Sequence, residues 1–186
     1  LEEVRGFVVL LREYGLTGCN YQISGDFKCE VYARDTLLAM IILYGLLQDA
    51  GCRLVFFDDL IRQRLAEIDD DLLTWLKTSL AGLGLGHILA KPEDYRSVII
   101  WGAGWQAKHL LERSHFFRRV AVAYLVDSTP AKIGGQFLVY PGCAPEALLN
   151  DNLPVLLAAV QNYPVLYGVY RQMGLGEERL VKGLVL

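Results

Sequence analysis

In the second half of the chain, segments with a strand-like pattern of apolar residues alternate with segments with a helix-like pattern. Short apolar runs, which predict strands, lie at 97–101, 120–126, 136–140, 155–160 and 180–185. Apolar positions three and four residues apart, which predict helices, lie at 105–114, 144–149 and 165–173. Strands that alternate with helices form parallel sheets. The pattern therefore predicts an α/β fold, with about five parallel strands and helices on both faces of the sheet.

The first half of the chain has a different, mostly helical pattern. Helices are predicted at 2–14, 36–50, 58–64 and 70–80, a strand at 53–57 and a hairpin at 19–32. The polar, proline-containing segment 91–95 is typical of a domain boundary. We therefore predict a smaller, mostly helical α/β region of unassigned function at 1–92, followed by an α/β domain at 93–186.

Composition and charge narrow the classes of protein. The chain is 53% hydrophobic and 21% charged, as in a compact globular protein. Residues 96–186 carry nine basic and six acidic side chains, a net charge of +3, whereas residues 1–95 carry nine and fifteen, a net charge of −6. The small positive excess suits an anionic small molecule, and it is too scattered to predict a nucleic-acid partner.

Other features bear on localisation and metals. The longest apolar run, 37–47, is shorter than the roughly 20 residues that cross a bilayer, so a buried helix is predicted and no membrane span. Without a basic segment and cleavage site at the start, a cytoplasmic protein is expected. The four cysteines and three histidines are scattered, which predicts reduced thiols and no metal. Because the chain begins with Leu1, further domains of a larger parent chain are left open. A homo-oligomer is also left open.

A glycine turn follows the predicted strand 97–101 and opens the predicted helix 105–114. In this context the first glycine permits a sharp turn, the second lets a diphosphate approach the backbone, and Ala107 serves as the small residue where helix and strand pack. Free N–H groups and the positive end of the helix dipole would face the phosphates. The predicted cofactor-binding residues of this turn are Gly102, Ala103, Gly104, Trp105 and Gln106.

Two more candidates for the same site, Asp127 and Lys132, lie further along the chain. Asp127 ends the predicted strand 120–126, 25 positions after Gly102. A carboxylate at that spacing accepts hydrogen bonds from ribose hydroxyls and repels a 2′-phosphate, which favours NAD over NADP; the alternative is a cap on the turn at 128–130. Lys132 could contact a phosphate or the adenine edge, and the alternative is a solvated loop lysine.

Catalytic chemistry is not assigned by the sequence. Tyr163 follows the fourth predicted strand beside Gln161 and Asn162, where Rossmann enzymes place substrate groups, but the Tyr-x-x-x-Lys pattern of short-chain dehydrogenases is not present, because position 167 is tyrosine. Lys108 and His109, in the first turn of the predicted helix, are candidate phosphate contacts. The pair Asp58-Asp59 could ligate Mg²⁺, but helix capping is the favoured explanation.

The second half of the chain resembles a known group of domains. The segments Val98-Ile99-Ile100-Trp101-Gly102-Ala103-Gly104 and Val126-Asp127-Ser128-Thr129-Pro130-Ala131-Lys132-Ile133-Gly134-Gly135, followed by Pro141, look like the Rossmann-like modules of bacterial sugar-nucleotide and surface-polysaccharide enzymes. The resemblance implies a Rossmann-like domain that binds NAD or a nucleotide sugar. Two alternatives remain: an S-adenosylmethionine-dependent methyltransferase-like domain, and a structural or interaction domain without a ligand.

Overall fold

A computed structural model describes residues 38, 41, 42, 70–158 and 163–186. The chain divides into two compact units, Leu1–Ile88 and Leu89–Leu186. The helices predicted at 2–14 and 58–64, the strand at 53–57, the hairpin at 19–32 and the pair Asp58-Asp59 lie outside the described residues. Within the helix predicted at 36–50, the three described residues are helical and buried; they are Leu38, Ile41 and Ile42.

One complete helix of the first unit is described, α1 (Asp70–Gly82). Its buried side chains are Leu73, Leu76 and Leu80, whose spacing of three and four residues forms one apolar stripe. Asp70 and Asp71 in the first turn stabilise the helix, because their negative charges lie at the positive end of its dipole. The helix predicted at 70–80 is therefore confirmed. Among the described residues, no helix is both long and apolar enough to cross a membrane.

The second unit is built on a five-stranded sheet. Its strands are β1 (Ser97–Trp101), β2 (Ala121–Val126), β3 (Gln136–Phe137), β4 (Tyr140–Cys143) and β5 (Val155–Leu157). They lie in the order β3-β4-β2-β1-β5. The pairs β1–β2, β1–β5 and β2–β4 are parallel, and β3 joins β4 in antiparallel orientation at the edge. The four parallel strands lie in the order β4-β2-β1-β5. Counted among themselves along the chain, they have the 3-2-1-4 order of a Rossmann-like sheet, so the predicted fold class is confirmed.

Two helices cover opposite faces of this sheet, α2 (Trp105–Arg113) and α3 (Tyr163–Gln172). Alternate residues of β1 point to the two faces. Ile100 lies in a core cluster with Ala107 of α2, whereas Trp101 lies in a second cluster with Tyr170 of α3. Helices on both faces are therefore confirmed. The short helix predicted at 144–149 is present as a 3₁₀ helix, Pro145–Asn150.

The single strand predicted at 136–140 is wrong. The structure has a hairpin there, in which Phe137 of β3 pairs with Tyr140 of β4. Leu138 adopts a φ of 57° and Val139 is exposed, as expected at the tip of a two-residue turn. The apolar run masked this turn, because apolar residues seldom occupy a tip with a positive φ.

The strand predicted at 180–185 is also wrong. Leu180 forms one isolated bridge to Val155, and Leu184 forms another to Leu89. Between them Gly183 adopts a φ of 82°, a left-handed conformation that breaks an extended run. The fifth strand of the sheet is instead contributed by the hairpin.

Candidate functional site

The carboxyl ends of the parallel strands meet at one edge of the sheet. The N–H of Gly102 donates to the carbonyl of Val126 at 2.7 Å, and the N–H of Asp127 donates to the carbonyl of Cys143 at 3.1 Å. The glycine turn after β1 therefore lies directly beside the end of β2. In sheets of this kind, ligands bind at this edge, where the strand order reverses.

The two glycines of the turn have different reasons to be glycine. Gly102 has a φ of 115°, a conformation that side chains rarely adopt. Gly104 is the N-cap of α2, with a φ of −125° that any residue adopts, and a Cβ built on it meets no described atom within 4 Å. The backbone thus requires glycine at 102, whereas nothing in the described protein requires it at 104.

Asp127 connects the turn to the loop that follows β2. Its Oδ2 accepts hydrogen bonds from the N–H of Ala103 and from Nζ of Lys132, both at 2.9 Å, and its Oδ1 accepts one from the N–H of Thr129, also at 2.9 Å. A carboxylate offers about four acceptor positions. Described residues therefore use three of them, and among these residues no donor fills the remaining position on Oδ1.

These contacts also set the charge of Asp127. Burial by itself would raise the pKa of the carboxyl group, but the hydrogen bonds from Lys132 and Thr129 outweigh it and hold the pKa below its usual value of 3.8. The side chain of Asp127 is 12% exposed, whereas that of Lys132 is 37% exposed. At neutral pH the site therefore contains a shielded carboxylate paired with a lysine that reaches solvent.

Sequence reasoning missed the residue that fixes the loop carrying Lys132. The N–H of Gly134 donates to the carbonyl of Gly142 at 2.8 Å, and the N–H of Gly142 donates to that of Gly135 at 2.9 Å. A Cβ on Gly142 would overlap the carbonyl oxygen of Lys132. Gly142 is therefore required for the loop to lie against β4. The signal that the sequence offers is the glycine that directly follows Pro141.

The first two residues of α2 differ sharply in exposure. The side chain of Trp105 is 63% exposed and stacks on His109, with ring centroids 5.4 Å apart and an angle of 18° between planes. Gln106 is only 6% exposed, and within the described part of the chain neither polar atom of its carboxamide has a hydrogen-bond partner. Such an unpaired buried amide costs about 1–3 kcal/mol.

The remaining candidates of the sequence lie in different places. Lys108 is exposed and forms an ion pair with Glu112 at 3.9 Å, one turn further along α2. Ala107 is fully buried against β1, as predicted for the small residue of the turn. Gln161 and Asn162 lie outside the described residues, and so does the side chain of Tyr163.

A second carboxylate, the partly buried Asp151, is held by Tyr124 and Arg179. The hydroxyl of Tyr124 donates to Oδ2, and Nη2 of Arg179 donates to Oδ1 at 3.3 Å. Burial, and then the hydrogen bond to Asp151, raise the pKa of Tyr124. Arg179 also donates to the carbonyls of Leu148 at 3.0 Å and Leu153 at 3.1 Å, so this cluster fixes the segment before β5. Among residues 70–158 and 163–186, no group of three His, Cys, Asp or Glu could hold a metal.

Comparisons with known proteins add little to this geometry. No family model matches the chain, and no curated protein matches it. Among solved structures, the chain is similar to RSP, a Rex-family repressor, with 13% sequence identity and a TM-score of 0.37 over 78% of each chain. A TM-score this low carries no argument about function. The strand order and the two faces of helices define the second unit by themselves as a Rossmann-like α/β domain.

Proposed function

We propose that the unit Leu89–Leu186 binds a nucleotide diphosphate, either NAD or a nucleotide sugar, at the glycine turn. The proposed context is a protein that modifies sugar nucleotides or surface polysaccharides. The observation that carries the proposal is Gly104, a glycine with an ordinary backbone conformation and open space at the position of its missing Cβ. The close approach of a diphosphate gives that glycine a reason.

The start of α2 supplies the donors for such an anion. N–H groups in the first turn of a helix have no partner within the helix, and the helix dipole places partial positive charge there. Trp105 and Gln106 belong to this first turn. The N–H of Ala103, by contrast, is already bound to Asp127. The diphosphate is therefore expected to lie over residues 104–106, with Asp127 fixing the turn from the side of β2.

Asp127 and Lys132 would hold the ribose next to it. The remaining acceptor position on Oδ1 suits a ribose hydroxyl, which donates a hydrogen bond. Lys132 neutralises the carboxylate at 2.9 Å, so Asp127 does not repel the diphosphate. A 2′-phosphate replaces a ribose hydroxyl that would donate to this acceptor position, and we therefore expect NAD to bind more tightly than NADP. These polar groups support binding, and no reaction is assigned to them.

Ligand-dependent thermal stability of the full chain tests the proposal. We expect NAD, UDP-glucose or GDP-mannose to raise the stability by about 2.7 kcal/mol at a hundredfold excess over Kd, and NADP and S-adenosylmethionine to give less. The variant Gly104→Ala should remove most of this ligand effect, because its Cβ occupies the path of the diphosphate. Its own melting temperature should fall only slightly, since alanine is a weaker N-cap than glycine.

The matched control is Gly168→Ala. A Cβ on Gly168, within α3, also meets nothing within 4 Å, so this variant should keep the full ligand effect. If no nucleotide stabilises the wild-type chain, the proposal is wrong and the domain without a ligand becomes the better interpretation. Stabilisation by S-adenosylmethionine alone would favour the methyltransferase-like alternative. A Gly104→Ala variant that binds as tightly as the wild type would place the ligand away from the turn.

A further inference from the structure

The burial of Trp105 and Gln106 is the reverse of what their chemistry favours. The indole is 63% exposed, whereas the neighbouring carboxamide, at 6% exposure, is buried without a partner among the described residues. Burying apolar surface stabilises a protein, and burying an unpaired amide destabilises it. Folding stability alone does not explain this arrangement, and it occurs in the first turn after Gly104.

We propose that Trp105 and Gln106 together bind the group whose ring system is joined to the second phosphate of the ligand. This group is the nicotinamide riboside of NAD or the hexose of a nucleotide sugar. This inference rests on the proposed function, because the ring reaches the start of α2 only when the diphosphate lies on the glycine turn. Asp127 holds the ribose on the side of β2. The other end of the ligand then continues past the first turn of α2.

Trp105 is prepared for stacking. One face of the indole lies against the imidazole of His109, with an angle of 18° between planes, and this contact orients the ring before a ligand arrives. The exposure of the indole leaves its other surface accessible. Planar rings stack on aromatic faces, and the C–H face of a hexose gains from the same burial.

Gln106 adds the polar contact. Its carboxamide can donate and accept hydrogen bonds, which matches both the amide of nicotinamide and the hydroxyls of a hexose. Since neither polar atom is hydrogen-bonded within the described residues, turning the side chain toward a ligand breaks no such bond there. A ligand therefore recruits Gln106 without breaking a hydrogen bond to any described residue.

Calorimetric titration of the full chain with NAD, UDP-glucose and ADP tests the stacking. ADP carries the base, ribose and diphosphate but no further ring. We expect Trp105→Ala to weaken binding of NAD or UDP-glucose about tenfold and to change the affinity for ADP less than twofold. Trp105→Phe should restore most of the affinity, because it keeps an aromatic face.

A second variant tests Gln106. Gln106→Met keeps the size and removes the unpaired amide, so we expect the melting temperature to rise by about 4 °C while the affinity for NAD or UDP-glucose falls severalfold. The control is Gln172→Met, at the exposed end of α3, which should change neither quantity. A purely structural role of Gln106 predicts changes in stability and affinity of the same sign.

The outcomes separate the two proposals. If neither ADP nor a larger nucleotide binds the wild-type chain, the proposed function fails and this inference fails with it. If nucleotides bind and either Trp105→Ala or Gln106→Met binds NAD and UDP-glucose like the wild type, this inference alone is overturned. It is also overturned if Trp105→Ala weakens ADP as much as the larger ligands, since the indole would then contact the shared part of the nucleotide.

Discussion

Two aspartates of the second unit, Asp127 and Asp151, each pair with a cation, but the two pairs are arranged differently. The side chain of Arg179, the partner of Asp151, is 13% exposed. It also donates hydrogen bonds to the carbonyls of Leu148 and Leu153. Lys132, the partner of Asp127, is 37% exposed. Each carboxylate accepts three hydrogen bonds from described residues, so the two pairs differ in their cations: Arg179 is held by the fold, whereas Lys132 reaches solvent.

The difference separates a structural pair from a candidate binding pair. A guanidinium that bonds two carbonyls and a carboxylate satisfies groups that would otherwise be buried unpaired, so the fold depends on it. A lysine that caps a carboxylate at the surface adds little stability, but it sets the charge next to the glycine turn. Stability measurements should therefore respond to Arg179, and ligand measurements should respond to Lys132.

The largest expected effect is on stability, from Arg179→Met. Removal of the guanidinium takes one donor from Asp151 and from two carbonyls, and partly buried groups left unpaired in this way cost about 1–3 kcal/mol. We expect urea-induced unfolding of the full chain, followed by circular dichroism, to show a lower free energy of unfolding by about that amount.

The matched control is Arg171→Met. Arg171 pairs with Glu177 at 2.8 Å, but both side chains are more than half exposed, so the loss should be less than about 1 kcal/mol. Equal losses in the two variants would show that burial does not distinguish the two arginines, and the comparison between the pairs would then lose its basis.

The next effect is the dependence of stability on acid at Asp127. Since its folded pKa lies below 3.8, the carboxylate contributes stability that is fully present above that value and is lost as the pH falls through the folded pKa. The difference in free energy of unfolding between the wild type and Asp127→Asn should be constant from about pH 7 to pH 5 and should shrink below pH 3.8.

An exposed carboxylate supplies the control for this acid series. Glu146→Gln removes one negative charge at an exposed position, so it corrects for the general loss of charge. A difference between the wild type and Asp127→Asn that grows toward low pH would mean that burial, and not the hydrogen bonds from Lys132 and Thr129, governs the carboxyl group.

The sequence predicted much of this edge of the sheet because its signals are local. The apolar run of β1, the two glycines and the helical spacing of α2 follow each other directly, and the structure confirms β1 at Ser97–Trp101. The proximity of Asp127 to Ala103 follows from parallel pairing, which brings successive carboxyl ends together. The role of these residues as a nucleotide site stays a prediction.

Other features could not be predicted because they depend on distant contacts. The hydrogen bonds of Gly142 to the loop of Lys132 join segments that a linear pattern treats separately. The hairpin at Leu138 was hidden by apolar side chains, and the burial of Gln106 depends on how α2 rotates against the sheet. Lys132 had two interpretations, a ligand contact and a solvated lysine, because the sequence does not show that its ammonium lies on Asp127.

The smallest expected change in stability, from Lys132→Met, decides between those two interpretations. We expect a loss below about 1 kcal/mol, since the ammonium is partly exposed. The affinity for NAD should fall about fivefold, the equivalent of about 1 kcal/mol, because an unneutralised Asp127 then lies beside the diphosphate, and added salt should reduce the difference. Lys108→Met removes a charge from the first turn of α2 whose partner is Glu112, and it should change the affinity less than twofold. Tighter binding by Lys132→Met would instead mean that the lysine competes with the ribose for Asp127.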